Sequence, residues 1–193
     1  MNTSDNNLKS AIEALLFSSD KPLTPEQLKT ALDVQGREEI LFALDELKTE
    51  YENSNRGVRI AEIAGGYQMV TAPTFTQFLR KLYKGRKIEK LSKPALETLA
   101  IVAYKQPISK SEIESLRSVS IDGVVESLLE KELIRITGRK KTPGRPFVYG
   151  TSKRFLEYFG LKSLDELPKM ENLSLSPQIT EEQNAPKEPA PEN

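Results

Sequence analysis

The side chains able to do chemistry in this 193-residue chain are carboxylates, Lys, Arg, Tyr, Ser and Thr, because it has no His and no Cys. That composition excludes a Ser-His-Asp or Cys-His triad, a zinc site of the usual ligands, a disulfide and thiol redox chemistry. The carboxylate pairs that remain, such as Asp45/Glu46 and Glu112/Glu114, fall on outward faces of predicted helices, where nothing would shift their pKa values. No glycine-rich turn with a following Lys-Ser/Thr opens a helix, so a phosphate loop is excluded too. The expectation is a chain that is not an enzyme and takes no cofactor or metal. One cluster of cations stands out: Arg139, Lys140 and Lys141, with Arg145, on one predicted loop. It could touch phosphates non-specifically, or serve only as a solvated loop.

The formal charge of zero conceals a segregation. Residues 1–79 carry 7 basic against 12 acidic side chains, a net of −5. Residues 80–162 carry 19 against 9, a net of +10, and residues 163–193 carry 2 against 7, a net of −5. Within the basic half, the stretch from Arg135 to Arg154 holds 7 cations and no anion. Such a stripe is either a footprint for a polyanion or a solvated face beside an acidic partner.

The elements that must position these charges recur in one order. Leu8, Ile12, Leu15 and Leu16 form a helical stripe. Thr24-Pro25-Glu26-Gln27 is a capping box with Pro at the first helical position, and it opens a short helix with Leu28, Ala31 and Leu32. Ile40, Leu44, Leu47 and Tyr51 predict a third, longer helix. Val58 to Ile63 and Tyr67 to Thr71 predict a hairpin turned at Gly65-Gly66. Thr74 to Gln77 then caps a helix expected to bury Phe75, Phe78, Leu79 and Leu82.

The second half repeats the order. Leu96, Leu99, Ala100 and Ala103 form its first stripe, and Ser109 to Glu112 is a second capping box before Ile113 and Leu116. Ile121, Val124, Val125, Leu128 and Leu129 mark its third helix. Leu133 to Thr137 and Phe147 to Tyr149 read as strands around the loop Gly138 to Pro146, and Ser152 to Phe159 as a last helix burying Phe155, Leu156 and Phe159. Pro22-Leu23-Thr24 with Leu28 matches Pro107-Ile108-Ser109 with Ile113 at a constant offset of 85 positions. Three helices followed by a hairpin, twice over, predict tandem winged-helix domains: a mainly α, α+β fold with small hairpins. The expected boundaries are 1–84, 85–167 and a disordered, acidic, Pro-rich tail over 168–193. The longest apolar run, Leu99 to Tyr104, is far short of the ~20 residues of a membrane span, so neither signal peptide nor transmembrane helix is expected.

A winged helix that reads bases lays its third helix in the major groove. In the second half that helix turns Asp122, Glu126 and Glu130 outward, and in the first it offers Glu38, Glu39, Asp45, Glu46, Glu50 and Glu52 against Arg37 and Lys48. Against phosphate both faces would repel, which argues for protein–protein contacts. A tandem winged-helix DNA-binding transcriptional regulator stands as the alternative.

The run from Leu91 to Ile108 resembles the bacterial segregation and condensation protein B family. So do Ser111-Glu112-Ile113-Glu114, Gly144 to Thr151, Phe155-Leu156 through Phe159-Gly160-Leu161 to Leu167-Pro168, and the opening Ile12 to Phe17. The resemblance spans about residues 8–168, with Ser118 standing where the family pattern has a glycine. It implies a non-enzymatic accessory subunit of the condensin-like SMC complex, cytoplasmic and nucleoid-associated, acting in chromosome condensation and partition. It implies a homodimer formed mainly through the first domain, with the second domain gripping the kleisin, segregation and condensation protein A (ScpA). The SMC ATPase would be reached through the kleisin, and DNA only indirectly or non-specifically. Beside that expectation, Phe17, Phe42 and Tyr51 are the candidates for self-association. Leu96, Leu99, Ile101, Val102 and Tyr104, with Arg145, Pro146, Phe147 and Tyr149 of the wing, are the candidates for the kleisin groove, since an amphipathic partner helix needs apolar anchors.

Overall fold

Two successive sets of helices and hairpins build the fold, and the computed structural model describes residues 3–85 and 90–169. In the first set, α1 (Thr3–Ser18), α2 (Pro25–Ala31) and α3 (Arg37–Asn53) precede a hairpin of β1 (Val58–Ile63) and β2 (Gly66–Thr71). A 3-10 turn at Pro73–Phe75 then leads into α4 (Thr76–Leu82). In the second, α5 (Lys93–Lys105) is followed by β3 (Ile108–Ser109), α6 (Lys110–Arg117) and α7 (Asp122–Glu130). The hairpin of β4 (Ile134–Arg139) and β5 (Phe147–Thr151), α8 (Lys153–Phe159) and a 3-10 turn at Leu164–Glu166 complete it. The class is α+β with small antiparallel sheets, and each set follows the winged-helix plan.

The repeat at offset 85 now has a physical meaning. β3 pairs with β5, Ile108 opposite Tyr149, giving the sheet order β3-β5-β4. In the first set the matching residue, Leu23, exchanges backbone hydrogen bonds with Tyr67: its N–H donates at 2.9 Å and its carbonyl accepts at 2.8 Å. A strand of one or two residues has no period, so hydrophobic alternation cannot reveal it. The next residue in each repeat then caps a helix. Gln27 Oε1 accepts from the Thr24 N–H at 2.9 Å, and Glu112 Oε2 accepts from the Ser109 N–H at 2.9 Å. Pro-Leu/Ile-Thr/Ser is thus a strand–cap unit, which accounts for its recurrence.

Each set has its own core. Ile12, Leu16, Leu28, Ile40, Leu44 and Ile60 anchor the first cluster. Leu99, Val102, Ile113, Ile121, Leu128 and Ile134 anchor the second. Each such fully buried aliphatic side chain is worth about 1.5–3 kcal/mol relative to leaving it in water.

Three local expectations are corrected. The first hairpin turns at Ala64-Gly65, with φ of 52° and 72°, because Ile63 pairs with Gly66. Gly66 opens β2, where a Cβ would come within 2.9 Å of the Leu23 carbonyl oxygen; that glycine is required by the close approach of the short strand. The most consequential correction concerns α4: expected to bury Phe75, Phe78, Leu79 and Leu82, it buries none of its residues, and Phe78 is 56 % and Leu82 72 % exposed.

The chain expected to be disordered from 168 is folded at its start, since the Pro168 carbonyl accepts a hydrogen bond from Tyr104 at 2.6 Å. Residues 170–193 lie outside the described residues. Among the described residues, no helix is long and apolar enough to cross a membrane.

Candidate partner groove

The candidate groove lies between α5 and α8. Ser92 Oγ accepts the Ala95 N–H at 3.3 Å to start α5, and Pro94 sits in its first turn. One face of α5 (Ala95, Leu99, Val102) enters the core, while Leu96, Ala100 and Tyr104, four residues apart, line the next face round. Ser152 Oγ accepts the Phe155 N–H at 3.2 Å to start α8, whose Phe155 is 3 % exposed and whose Phe159 is partly open, the two rings 4.9 Å apart.

Gly160 ends α8 in the left-handed conformation, φ 66°, and the Leu161 N–H donates to the Leu156 carbonyl at 2.9 Å. This Schellman-like stop reverses the chain and carries Leu161, Leu167 and Pro168 across the mouth of the two helices. The Tyr104 hydroxyl, donating to the Pro168 carbonyl, pins that strap. The result is an open groove of about 350 Å³ with no carboxylate, Lys or Arg in its lining. Chemically it can bind apolar side chains; its one polar side chain, Tyr104, has its hydroxyl committed to the Pro168 carbonyl. Among the described residues no three His, Cys, Asp or Glu converge as metal ligands.

Of the residues expected here, Leu96, Leu99 and Tyr104 line the groove, Leu99 at its buried floor. Ile101 packs against the core, and Val102 and Tyr149 belong to it. Val102 has no accessible surface and Tyr149 is 8 % exposed, and neither lines the groove, so both are corrected to core residues. Arg145, Pro146 and Phe147 do not line the groove. They form a separate surface on the wing, where the Arg139 guanidinium lies 3.9 Å over the Phe147 ring and donates to the Arg145 carbonyl at 3.3 Å. The groove's second wall, α8 and its strap, takes the place expected for the wing. The spacing Phe155/Phe159 carries it, yet i, i+4 aromatics mark core and groove alike.

The possible phosphate-contacting cations divide as well. Lys140 is paired with Glu112 at 2.6 Å, Arg139 stacks on Phe147, and Lys141 and Arg145 remain exposed. The Lys140 ammonium, then the Ser109 hydroxyl and N–H, hold the Glu112 carboxyl well below its usual value, at about 2. Arg117 ties α6 to α5 by donating to the buried Thr98 hydroxyl at 2.9 Å and to Glu97 at 2.6 Å. The outward carboxylates of α7, Asp122, Glu126 and Glu130, are exposed, Asp122 paired with Lys110.

In the first set, Phe17 and Phe42 are 79 % and 67 % exposed. Tyr51, expected on the same self-association face, is instead core: its ring is buried, its hydroxyl donates to the Glu13 carboxylate, and Arg56 covers the ring at 4.6 Å. Burial, and then Glu13, raise its pKa above that of a free phenol.

Comparison with known proteins gives concordant matches. The model of the family described as "Segregation and condensation complex subunit ScpB" matches residues 10–170. A segregation and condensation protein B from Syntrophotalea carbinolica is 47% identical over 167 residues, 86% of this chain and 84% of that one. Its counterpart from Moorella thermoacetica is 43% identical over 177 residues, 91% of this chain and 89% of that one. Among solved structures, a dimer of an ScpB N-terminal domain complexed with an ScpA peptide is 28% identical, covering 41% of this chain and 98% of that chain, with a TM-score of 0.39.

Proposed function

The chain belongs to the segregation and condensation complex subunit ScpB family, and on that premise we propose that it is a non-enzymatic, homodimeric subunit of the bacterial SMC–kleisin complex. It binds the kleisin ScpA directly, reaches the SMC ATPase through it, and acts in chromosome condensation and partition in the cytoplasm, close to the nucleoid. Its first domain carries dimerisation and its second carries kleisin binding. The observation that carries this reading is the apolar groove between α5 and α8, whose lining offers Leu96 and Phe159 half-open to solvent and no charged group. An amphipathic helix can set its apolar anchors there. DNA contact is non-specific or indirect: the exposed carboxylates of α7 face the place where bases would be read, while Lys141 and Arg145 on the wing can meet phosphate.

Co-purification with the kleisin, followed by mass measurement of the complex, tests the proposal. Leu96→Glu puts a charge in the groove without disturbing the core and is expected to weaken kleisin binding at least ~10-fold, or about 1.4 kcal/mol. Kleisin binding unchanged by Leu96→Glu would remove the groove from the proposal. No kleisin binding at all, together with tight, salt-sensitive, sequence-selective binding of duplex DNA, would replace the whole reading by that of a DNA-binding regulator.

A further inference from the structure

β4 is an outer strand of the second sheet. The order β3-β5-β4 gives it one neighbour, so among the described residues the backbone groups on its other side have no strand partner. An uncovered edge of this kind is a template for another extended segment. Beside it lies an open pocket of about 500 Å³, in which Leu129, Ile134 and Ile136 meet Arg135, Lys153 and Arg154. Ile136 is 46 % exposed. Arg154 pairs with Glu157 at 3.3 Å, and Glu132 is the one carboxylate in the lining, so the pocket is apolar with an excess of cations. At the far end of β4, Arg139 and Lys141 are exposed as well. Such an edge suits an extended segment with apolar side chains on one face and carboxylates at its ends.

The chain carries a segment of that chemistry. Residues 170–193 lie outside the described residues, and their sequence has Leu173, Leu175, Pro177 and Ile179 at every second position, with only Ser and Gln between them. That is the period of a strand with one apolar face. Glu171 precedes it and Glu181-Glu182 follow it, and residues 170–193 hold 5 acidic against 1 basic side chain. The lengths agree: Ile134 to Lys141 and Leu173 to Thr180 are seven steps each, roughly 23 Å as strands. In that register Pro177, which has no N–H to donate, falls opposite Gly138, where the pairing of β4 is already irregular. The reach is sufficient too. Pro168 and Phe155 line one groove, and Phe155 follows directly on Lys153 and Arg154 in α8. The five residues from Pro168 to Leu173 can span roughly 16–18 Å, enough to pass a helix about 10–12 Å across.

We propose that residues 172–180 add to the outer edge of β4 in the same chain, as a fourth strand of the second sheet. Leu173 and Leu175 enter the pocket, Glu171 sits by Lys153, and Glu181-Glu182 meet Arg139 and Lys141 at the wing tip. The basic half of the chain thereby gains an acidic partner within the same molecule. The pocket shares no lining residue with the groove between α5 and α8, so that groove stays open to a partner.

Because the chain has no native cysteine, introduced pairs in the full-length chain give a clean test. Ile136→Cys with Leu175→Cys is expected to close an intrachain disulfide at least ~10-fold faster than Ile136→Cys with Ala190→Cys, at a rate independent of protein concentration. A tail that merely samples the surface would favour the shorter loop by less than about 2-fold. In parallel, Leu173→Ser/Leu175→Ser/Ile179→Ser, which alters no residue of either core, should speed hydrogen exchange of the β4 amides that point away from β5 at least ~10-fold. Equal closure rates, or exchange in β4 unmoved by the three substitutions, overturn the added strand. A disulfide that forms only between chains, faster at higher concentration, places the tail on a second copy and equally overturns the contact within one chain.

Discussion

α4 and α8 hold the same place in the two sets of elements, each short, each amphipathic and each after a hairpin, yet they end in opposite conditions. α8 buries Phe155 and packs Phe159 beside it, whereas α4 leaves Phe78 and Leu82 in solvent. For α8 the path of the chain beyond the helix makes the groove. Gly160 turns the chain back at φ 66°, so Leu161 and Leu167 close over α8 and create a groove against α5. After α4 the chain runs through Tyr83, Lys84 and Gly85, and among the described residues nothing buries Phe78 or Leu82. The same architecture thus yields a groove in one half and an uncovered stripe in the other. An element order repeated within a chain does not repeat a function; the strap after the last helix sets which surface is left for a partner.

The largest effect expected from this contrast is thermodynamic. Phe155→Ala should destabilise the second half by about 3–5 kcal/mol, the cost of emptying a buried aromatic site, measured by urea unfolding with hydrogen exchange resolved by segment. Phe78→Ala, at the formally equivalent helix, should change the unfolding free energy of the dissociated chain by no more than about 0.5 kcal/mol. If the two substitutions destabilise the isolated chain equally, the contrast between α4 and α8 is broken.

A smaller effect should sharpen the contrast between the two capping boxes. Gln27 closes the first without charge, and Glu112 closes the second as a carboxylate held at about 2 by Lys140 and Ser109. A depressed carboxyl pKa stabilises the folded state above the ordinary value near 4.5, and that contribution is lost as the pH falls toward 2. Protection of α6 amides from exchange should therefore fall between pH 4.5 and 2, while the cap of α2 adds no such slope. Glu112→Gln should remove that part of the slope in α6. An unchanged slope would mean that the Lys140 pairing does not persist in solution.

The smallest effect concerns the stop after the second helix of each half. Asp33 and Ser118, again 85 positions apart, are left-handed, with φ of 52° and 56°. Aspartate tolerates that region better than serine, so Ser118→Gly should stabilise by about 0.5–1 kcal/mol and Asp33→Gly by less, as thermal midpoints would read.

Much of the molecule is legible in the sequence because it is local. The capping boxes at Thr24 and Ser109, the stripe Ile40/Leu44/Leu47 and the outward carboxylates Asp122, Glu126 and Glu130 depend on residues within one or two turns, and the structure has them as expected. The two-residue strand β3, the turn at Ala64-Gly65 and the burial of Tyr51 are not legible. Each depends on a segment more than 35 positions away: Tyr149 for Ile108, Leu23 for Gly66, Glu13 for the Tyr51 hydroxyl. The groove is half legible, through Leu96, Leu99 and Tyr104 on α5. Its other wall cannot be told from the wing by pattern alone, because Arg145 to Tyr149 and Phe155 to Phe159 present equally apolar patterns.

By itself the amino-acid sequence determined the order of the main helices and the two hairpins, the exclusion of His- and Cys-dependent chemistry, and the acidic outward faces of the third helix in each half. These come from residue identity and from spacings of three and four along one helix. Only the tertiary structure decided which apolar stripes are core and which are surface. Phe78 and Phe155 are alike in period, but burial depends on what stands opposite a side chain, which for Phe155 is the second core.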